Sequence, residues 1–179
     1  MEWTSGREPA EGGGGPLVAA SPVLHSPAVA ATATALVDLG AAGEVLEVPP
    51  SLRDVGELAR HLGVPVAAVA TTSVLATRQD KHLLVIASAA HPLFLPALAA
   101  VLCEPELLRD ADVDVLHRTG SVLGSTSPLA LLEPLPTFVD IALAPHQDIW
   151  VPAGHPHAVF RTRYDELLRL TGGHPVEIG

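Results

Sequence analysis

Residues 72–88 constrain the fold more than any other stretch of the chain. Thr72–Thr77 and Leu83–Ser88 are short runs rich in apolar and β-branched residues, and the four residues between them, Arg78-Gln79-Asp80-Lys81, are all polar. Two runs of this length around a polar turn read as a β-hairpin. Any architecture for the chain has to be built on that pair.

The flanking segments alternate short helical and extended patterns. Ser26-Pro27 offers a capping serine and a first-turn proline, so a helix is expected from there to about Leu39, with Gly40 as its stop. Glu44–Val48 alternates polar and apolar residues and reads as a strand. A second helix is expected from Asp54 to Leu62, ended by Gly63, and Pro65–Ala70 reads as a helical turn leading into the hairpin. Further helices are expected over Leu93–Leu102 and Asp112–Arg118, and strands over Thr137–Leu143, Asp148–Pro152 and Ala158–Arg161. Thr162 and Asp165 resemble the ends of a capping box that opens a last helix carrying Leu167, Leu168 and Leu170. Val176–Ile178 can add an edge strand. Strands in pairs, separated by helices of unequal length, favour an α+β fold (mixed α/β). Its sheet would be mixed and largely antiparallel, or an open barrel, with helices around it, rather than doubly wound.

A length of 179 residues suits one domain and a tail. Residues 1–21, with Gly12–Gly15 and little periodicity, read as a disordered leader, which leaves residues 22–179 for the folded domain. The hydrophobic share is 48% but the aromatic share only 3%, so the core must be built from Ala, Val and Leu. Few aromatic faces remain for stacking bases, which argues against a binder that grips single strands through them. The net charge of −10 argues against extensive duplex contact, so no DNA partner is expected. A local contact with one end of an RNA stays compatible, since net charge does not describe one face. Cys103 is the only cysteine, which excludes an intrachain disulfide and fits a reducing compartment; its apolar surroundings, Leu98–Cys103, suggest a buried side chain. No apolar run is long enough to span a bilayer, and no basic region precedes an N-terminal apolar one, so a cytoplasmic location is expected.

Three segments carry a likeness to a known family. Ala153-Gly154-His155-Pro156-His157-Ala158-Val159-Phe160 is followed by Thr162 and Asp165–Gly172. Thr119-Gly120 precedes Gly124-Ser125-Thr126-Ser127-Pro128, a GxxxP loop, and Pro136–Leu143 contains Val139-Asp140. Together with Leu62-Gly63-Val64-Pro65 upstream, their order and spacing resemble the YbaK/prolyl-tRNA-editing family over roughly residues 26–178. The resemblance implies a small domain that binds the aminoacyl end of a charged tRNA and hydrolyses its ester, acting in trans. It implies that Gly124–Pro128 line the amino-acid pocket and that the Gly154-His155-Pro156 turn holds the substrate carbonyl. It implies no cofactor.

The residue types suit that chemistry. Fixed backbone N–H groups stabilise the negative charge that grows on an ester carbonyl under attack. Glycine permits close backbone approach, and Pro128 and Pro156 stiffen their loops. Ser125, Thr126 and Ser127 supply short hydroxyls able to orient an amino group or a water. Taken alone, both segments could be ordinary turns.

The chain also departs from the family's pattern. Many members have a lysine at the start of the strand after the Gly-Val-Pro turn, and that place is held here by Thr71 or Thr72. The sole lysine, Lys81, falls in the hairpin turn, where it reads as a solvated charge. A hydroxyl stabilises an oxyanion or a phosphate less than an ammonium does. Water could then be activated by the substrate's own ribose hydroxyl, with Thr71 positioning it. His155 and His157 flank Pro156, and either could act as a general base; no acidic partner stands at a diagnostic spacing, and for His155, the catalytic candidate, a backbone-defining or hydrogen-bonding role is favoured. His155 and His157 with the remaining histidines match no zinc spacing, so no metal is expected. Asp140 reads as a buried carboxylate bonded to loop amides.

The expectation is thus a trans-acting aminoacyl-tRNA deacylase of the carboxylic ester hydrolase type. Thr71 and His155 are its catalytic candidates. Thr72, Gly124, Ser125, Thr126, Ser127, Pro128, Gly154 and Pro156 are its binding candidates, and its partner is the acceptor end of a charged tRNA. The alternatives are a module that binds the aminoacyl group without turnover and, further off, hydrolysis of another small acyl ester. The amino acid, the tRNA and the oligomeric state are not legible.

Overall fold

The computed structural model describes residues 21–178. The leader expected over residues 1–21 therefore falls, but for Ser21, outside the described residues.

The expected hairpin is the centre of the larger of two sheets. Strands β2 (Ala70–Thr77) and β3 (His82–Ser88) pair antiparallel, with Thr71 opposite Ala87 and Ser73 opposite Val85. Strand β4 (Leu107–Arg109) adds antiparallel to β2, while β5 (Thr137–Asp140) and β8 (His174–Val176) add parallel beyond β3, giving the order β4-β2-β3-β5-β8. The smaller sheet is antiparallel, in the order β1-β7-β6, from Val45–Glu47, Ala158–Thr162 and Ile149–His155. The fold is thus α+β with mixed, largely antiparallel sheets. The open barrel considered from sequence is not formed: the strands divide into two sheets that do not close on each other. A single parallel bridge from Val69 to Trp150 joins them beside the start of β2.

Among the described residues five α-helices complete the fold: α1 (Pro27–Asp38), α2 (Val55–Leu62), α3 (Leu95–Val101), α4 (Asp112–Thr119) and α5 (Tyr164–Thr171). The glycine stops act as expected, because Gly63, Gly120 and Gly172 follow their helices in the left-handed conformation. Between the two sheets and under α1, α4 and α5 lies one core, which includes Val29, Val74, Ile86, Val139, Val151 and Phe160. A second core, including Leu75, Val85 and Leu98, fills the other face of the larger sheet beneath α3. Both are aliphatic, as the composition requires. None of the described helices is long and apolar enough to cross a membrane.

Several local expectations need correction. Strand β4 was not expected: a three-residue strand after Pro105 shows no usable period. The strand expected over Thr137–Leu143 stops at Asp140, whose carboxylate accepts the Ala142 N–H (2.9 Å) and starts a 3-10 turn. Strand β6 extends through Gly154 to His155, past the expected end at Pro152, with a bulge between Pro152 and His155. The capping box is absent, since α5 starts after Arg163 and the Thr162 hydroxyl donates to Glu166 (2.8 Å) rather than pairing with Asp165. The last strand is His174–Val176, not Val176–Ile178. Cys103 is exposed, not buried: α3 ends at Val101, and Cys103 takes a left-handed turn with φ of 57° that carries it to the surface.

Candidate active site

The joint between the two sheets opens into a cleft of about 290 Å3. Its floor is the start of β2, with Val69 and Ala70, and Thr71 stands at the rim; one wall is the loop at Gly124 and Ser125; another is the β6–β7 hairpin from His155 to Val159. The loop after β1 and the first turn of α2 form the remaining side, with Val48, Leu52, Val55 and Leu58. Four segments far apart in sequence thus meet at one concavity.

What brings them together is main-chain bonding. The Gly154 N–H donates to the Ser125 carbonyl at 2.9 Å, tying the two glycine-containing segments directly to each other. Gly154 has φ of 98°, and a Cβ there would stand 2.7 Å from the Cβ of Ala28 in α1. Both the backbone conformation and the helix packing therefore require glycine. The Thr32 hydroxyl of α1 bonds the neighbouring Ala153 carbonyl at 3.1 Å, which presses the helix against β6. On the other wall the buried Thr72 hydroxyl donates to the Thr126 carbonyl at 2.9 Å and holds the GxxxP loop on β2.

Of the residues singled out from sequence, Thr71, Gly124, Ser125, His155 and Pro156 line the cleft. Thr71 is exposed at the rim, and its hydroxyl has only a long 3.4 Å contact with the Ala87 carbonyl. The other five lie behind the wall. Thr72, Thr126, Ser127, Pro128 and Gly154 are buried and outside the lining. The Ser127 Oγ accepts the Leu129 N–H, and Thr126 Oγ1 is buried with no partner. The Gly154 N–H is engaged by the Ser125 carbonyl, so of the Gly154-His155-Pro156 turn it is His155 and Pro156 that line the cleft.

His155 is half-buried, and its Nδ1 accepts the His157 N–H at 3.1 Å. That bond places the proton of the neutral ring on Nε2. In this state His155 is a hydrogen-bond donor to the cleft and has no free lone pair with which to act as a base. Asp140 supports the site from below, as expected of it: it is 1% exposed and accepts the N–H groups of Ser88 (3.1 Å) and Ala142 (2.9 Å).

Two charged lining residues escaped the sequence reading. Among the described residues, Arg53 is the only guanidinium and Asp54 the only carboxylate that line the cleft. Asp54 was legible as a helix cap, and its Oδ1 does accept the Glu57 N–H at 2.8 Å. Nothing in the sequence signals that this cap faces Thr71 and His155, because the juxtaposition is made by the tertiary fold. A wider depression of about 670 Å3 lies elsewhere, along β7 and α5. It contains none of the sequence-derived candidates, and Arg161 and Arg169 there face Asp148 (3.8 Å) and Glu166 (3.7 Å). Among the described residues no three His, Cys, Asp or Glu side chains gather as metal ligands.

This geometry agrees with what the chain is similar to. A crystal structure of a proposed trans-editing enzyme for prolyl tRNA synthetase superposes with a TM-score of 0.79 at 28% identity, covering 86% of this chain and 97% of that one. A scaffold protein used for computational epitope grafting matches with the same score, identity and coverage. A hypothetical protein of known structure, 20% identical with a TM-score of 0.72, covers 80% of this chain and 95% of its own and shows the shared fold. No curated protein matches. The model of the aminoacyl-tRNA editing domain matches residues 49–170, a span that includes every lining residue of the cleft except Val48. The chain belongs to the aminoacyl-tRNA editing domain family.

Proposed function

We infer that the protein is a trans-acting deacylase that hydrolyses the ester joining an amino acid to the terminal ribose of a mischarged tRNA. The observation that carries this reading is the convergence of Thr71, Gly124, Ser125 and His155 on one cleft that also holds a single carboxylate, Asp54. An aminoacyl ester presents an ammonium, a side chain, an ester carbonyl and a ribose. Asp54 suits the ammonium, because its charge is uncompensated within the lining except by Arg53. Val48, Val55, Leu58 and Val69 suit an uncharged side chain. His155, held as an Nε2–H donor, suits the carbonyl oxygen as negative charge grows on it. Thr71 at the rim suits the ribose.

In the reaction, water adds to the acyl carbon, the bond to the ribose oxygen breaks, and that oxygen leaves with a proton as hydroxyl. His155 has its Nδ1 engaged by the His157 N–H, and the other histidine of the lining, His157, stands beside it with ring centroids 5.5 Å apart. In this reading the vicinal ribose hydroxyl of the substrate orients the water and takes its proton while passing its own to the leaving ribose oxygen, with Thr71 fixing the ribose. No metal or cofactor takes part in this reading.

Deacylation of a panel of mischarged tRNAs tests it. We expect at least one to be hydrolysed well above the buffer rate, and His155→Ala to lower that rate roughly 100-fold, the size of effect seen when a carbonyl donor is removed. A second reading, binding without turnover, is favoured by one observation only, a threonine (Thr71 or Thr72) at the place where many members of the family that the sequence resembles carry lysine. Release no faster than in buffer for every tRNA, with tight binding of the charged species, would establish that reading instead.

A further inference from the structure

Beyond the cleft, past Thr71 and Gly124, the surface dips again into a groove of about 320 Å3, also lined by Ser73, His91, Arg109 and Leu123. Thr71 and Gly124 belong to both depressions, so the two form one furrow with these residues as its saddle. Of the eight arginines among the described residues, four face carboxylates: Arg78 meets Glu106, Arg118 meets Glu133 and Asp110, Arg161 meets Asp148, and Arg169 meets Glu166. Arg53, Arg60, Arg109 and Arg163 do not, and of these only Arg109 lines this groove. Arg109 has no carboxylate partner among the described residues. It is exposed on the edge strand β4, and its guanidinium reaches the Ser73 hydroxyl at 3.4 Å, which sets it over the groove. Leu123, 51% exposed, adds an apolar surface on the opposite lip.

We propose that this groove holds the single-stranded 3′ end of the RNA, with a phosphodiester against Arg109 and a base against Leu123. The proposal rests on the deacylase reading for its direction, because an acyl group seated in the cleft leaves its ribose at the Thr71–Gly124 saddle. The chain of nucleotides must then continue outward from there. In a protein of net charge −10, long-range attraction cannot hold a polyanion, so a locally unpaired guanidinium is what such a ligand needs. The Thr71 and Ser73 hydroxyls line the same groove and are suited to hydrogen-bonding ribose hydroxyls.

Fluorescence anisotropy with an uncharged RNA stem-loop ending in single-stranded CCA, titrated across a salt series, tests the proposal without requiring turnover. Arg109→Ala should weaken binding roughly fivefold and reduce the salt slope by about 0.7, the value of one phosphate contact on a single strand. Arg109→Lys should retain most of the slope. Lys81→Ala, an exposed cation in the β2–β3 turn, should leave it unchanged. An equal loss in the Lys81 and Arg109 variants, an unaltered slope in Arg109→Ala, or no binding by the parent protein would overturn the proposal. The deacylase reading fails separately, on the turnover of charged tRNA.

Discussion

Two single positions decide how the cleft is built and what it lacks. Gly154 combines a positive φ with a Cβ position 2.7 Å from Ala28. Gly154→Ala therefore adds backbone strain to a steric conflict, together about 3 kcal/mol, and should lower the melting temperature by roughly 10 °C. Gly124 also has a positive φ, of 79°, but a Cβ there meets nothing within 4 Å. Gly124→Ala should thus cost only about 1 kcal/mol. Thermal melts followed by circular dichroism compare the two, and equal losses would remove the packing argument for Gly154. Thr71 is the complementary case, an exposed rim residue with room for a longer side chain. If the missing cation is what limits turnover, Thr71→Lys should raise kcat/KM for a charged tRNA roughly tenfold, the worth of one charge-assisted hydrogen bond. Unchanged kinetics in that variant would mean that Thr71 already does what the site requires.

The elements were largely legible because their boundaries are chemical. Gly63, Gly120 and Gly172 end helices, Asp54 caps one, and the polar tetrad at residues 78–81 turns the central hairpin. What escaped left no periodic signal: β4 is too short to show a period, and β5 is cut off by a single bond from the Ala142 N–H to its own Asp140 carboxylate. The start of α5 illustrates the same limit. Thr162 looked like half of a capping box, yet its partner is Glu166, whose carboxylate also accepts the Ala42 N–H from the α1–β1 connection at 2.9 Å. Burial pushes the Glu166 carboxyl up. The bonds from Ala42 and Thr162, the Arg169 charge and the Arg163 N–H outweigh burial and leave its pKa below 4.5. A depressed folded-state pKa stabilises the protein above the unfolded value, and that contribution fades as pH falls through the folded one. The parent should therefore lose stability from about pH 4.5 downward more steeply than Glu166→Gln does. Urea unfolding across that range measures it, and parallel pH profiles would show that Glu166 does not tie the helix to the sheet.

At the scale of the whole molecule, the site exists only because two sheets meet. The cleft draws on residues 48–58, 69–71, 124–125 and 152–159, and no local pattern announces that these converge. The family likeness located the two glycine segments, but which of their atoms face outward depends on the Gly154–Ser125 bond and the Val69–Trp150 bridge. Both bonds sit on top of a core shared by the two sheets, where Val74 and Ile86 of the larger meet Val151 and Phe160 of the smaller. Phe160 is the largest fully buried side chain in an otherwise aliphatic core. Its loss leaves a cavity that small neighbours cannot refill, so Phe160→Ala should cost about 3–5 kcal/mol. Because that cavity would touch both sheets, the loss should fall on them together. The calorimetric and van't Hoff enthalpies of the parent should agree, and hydrogen exchange of the β3 and β7 amides should accelerate by the same factor in the variant. Selective loss of protection in β6 and β7, with β2 and β3 unaffected, would mean that the sheets unfold independently and that the cleft between them is not held by the shared core.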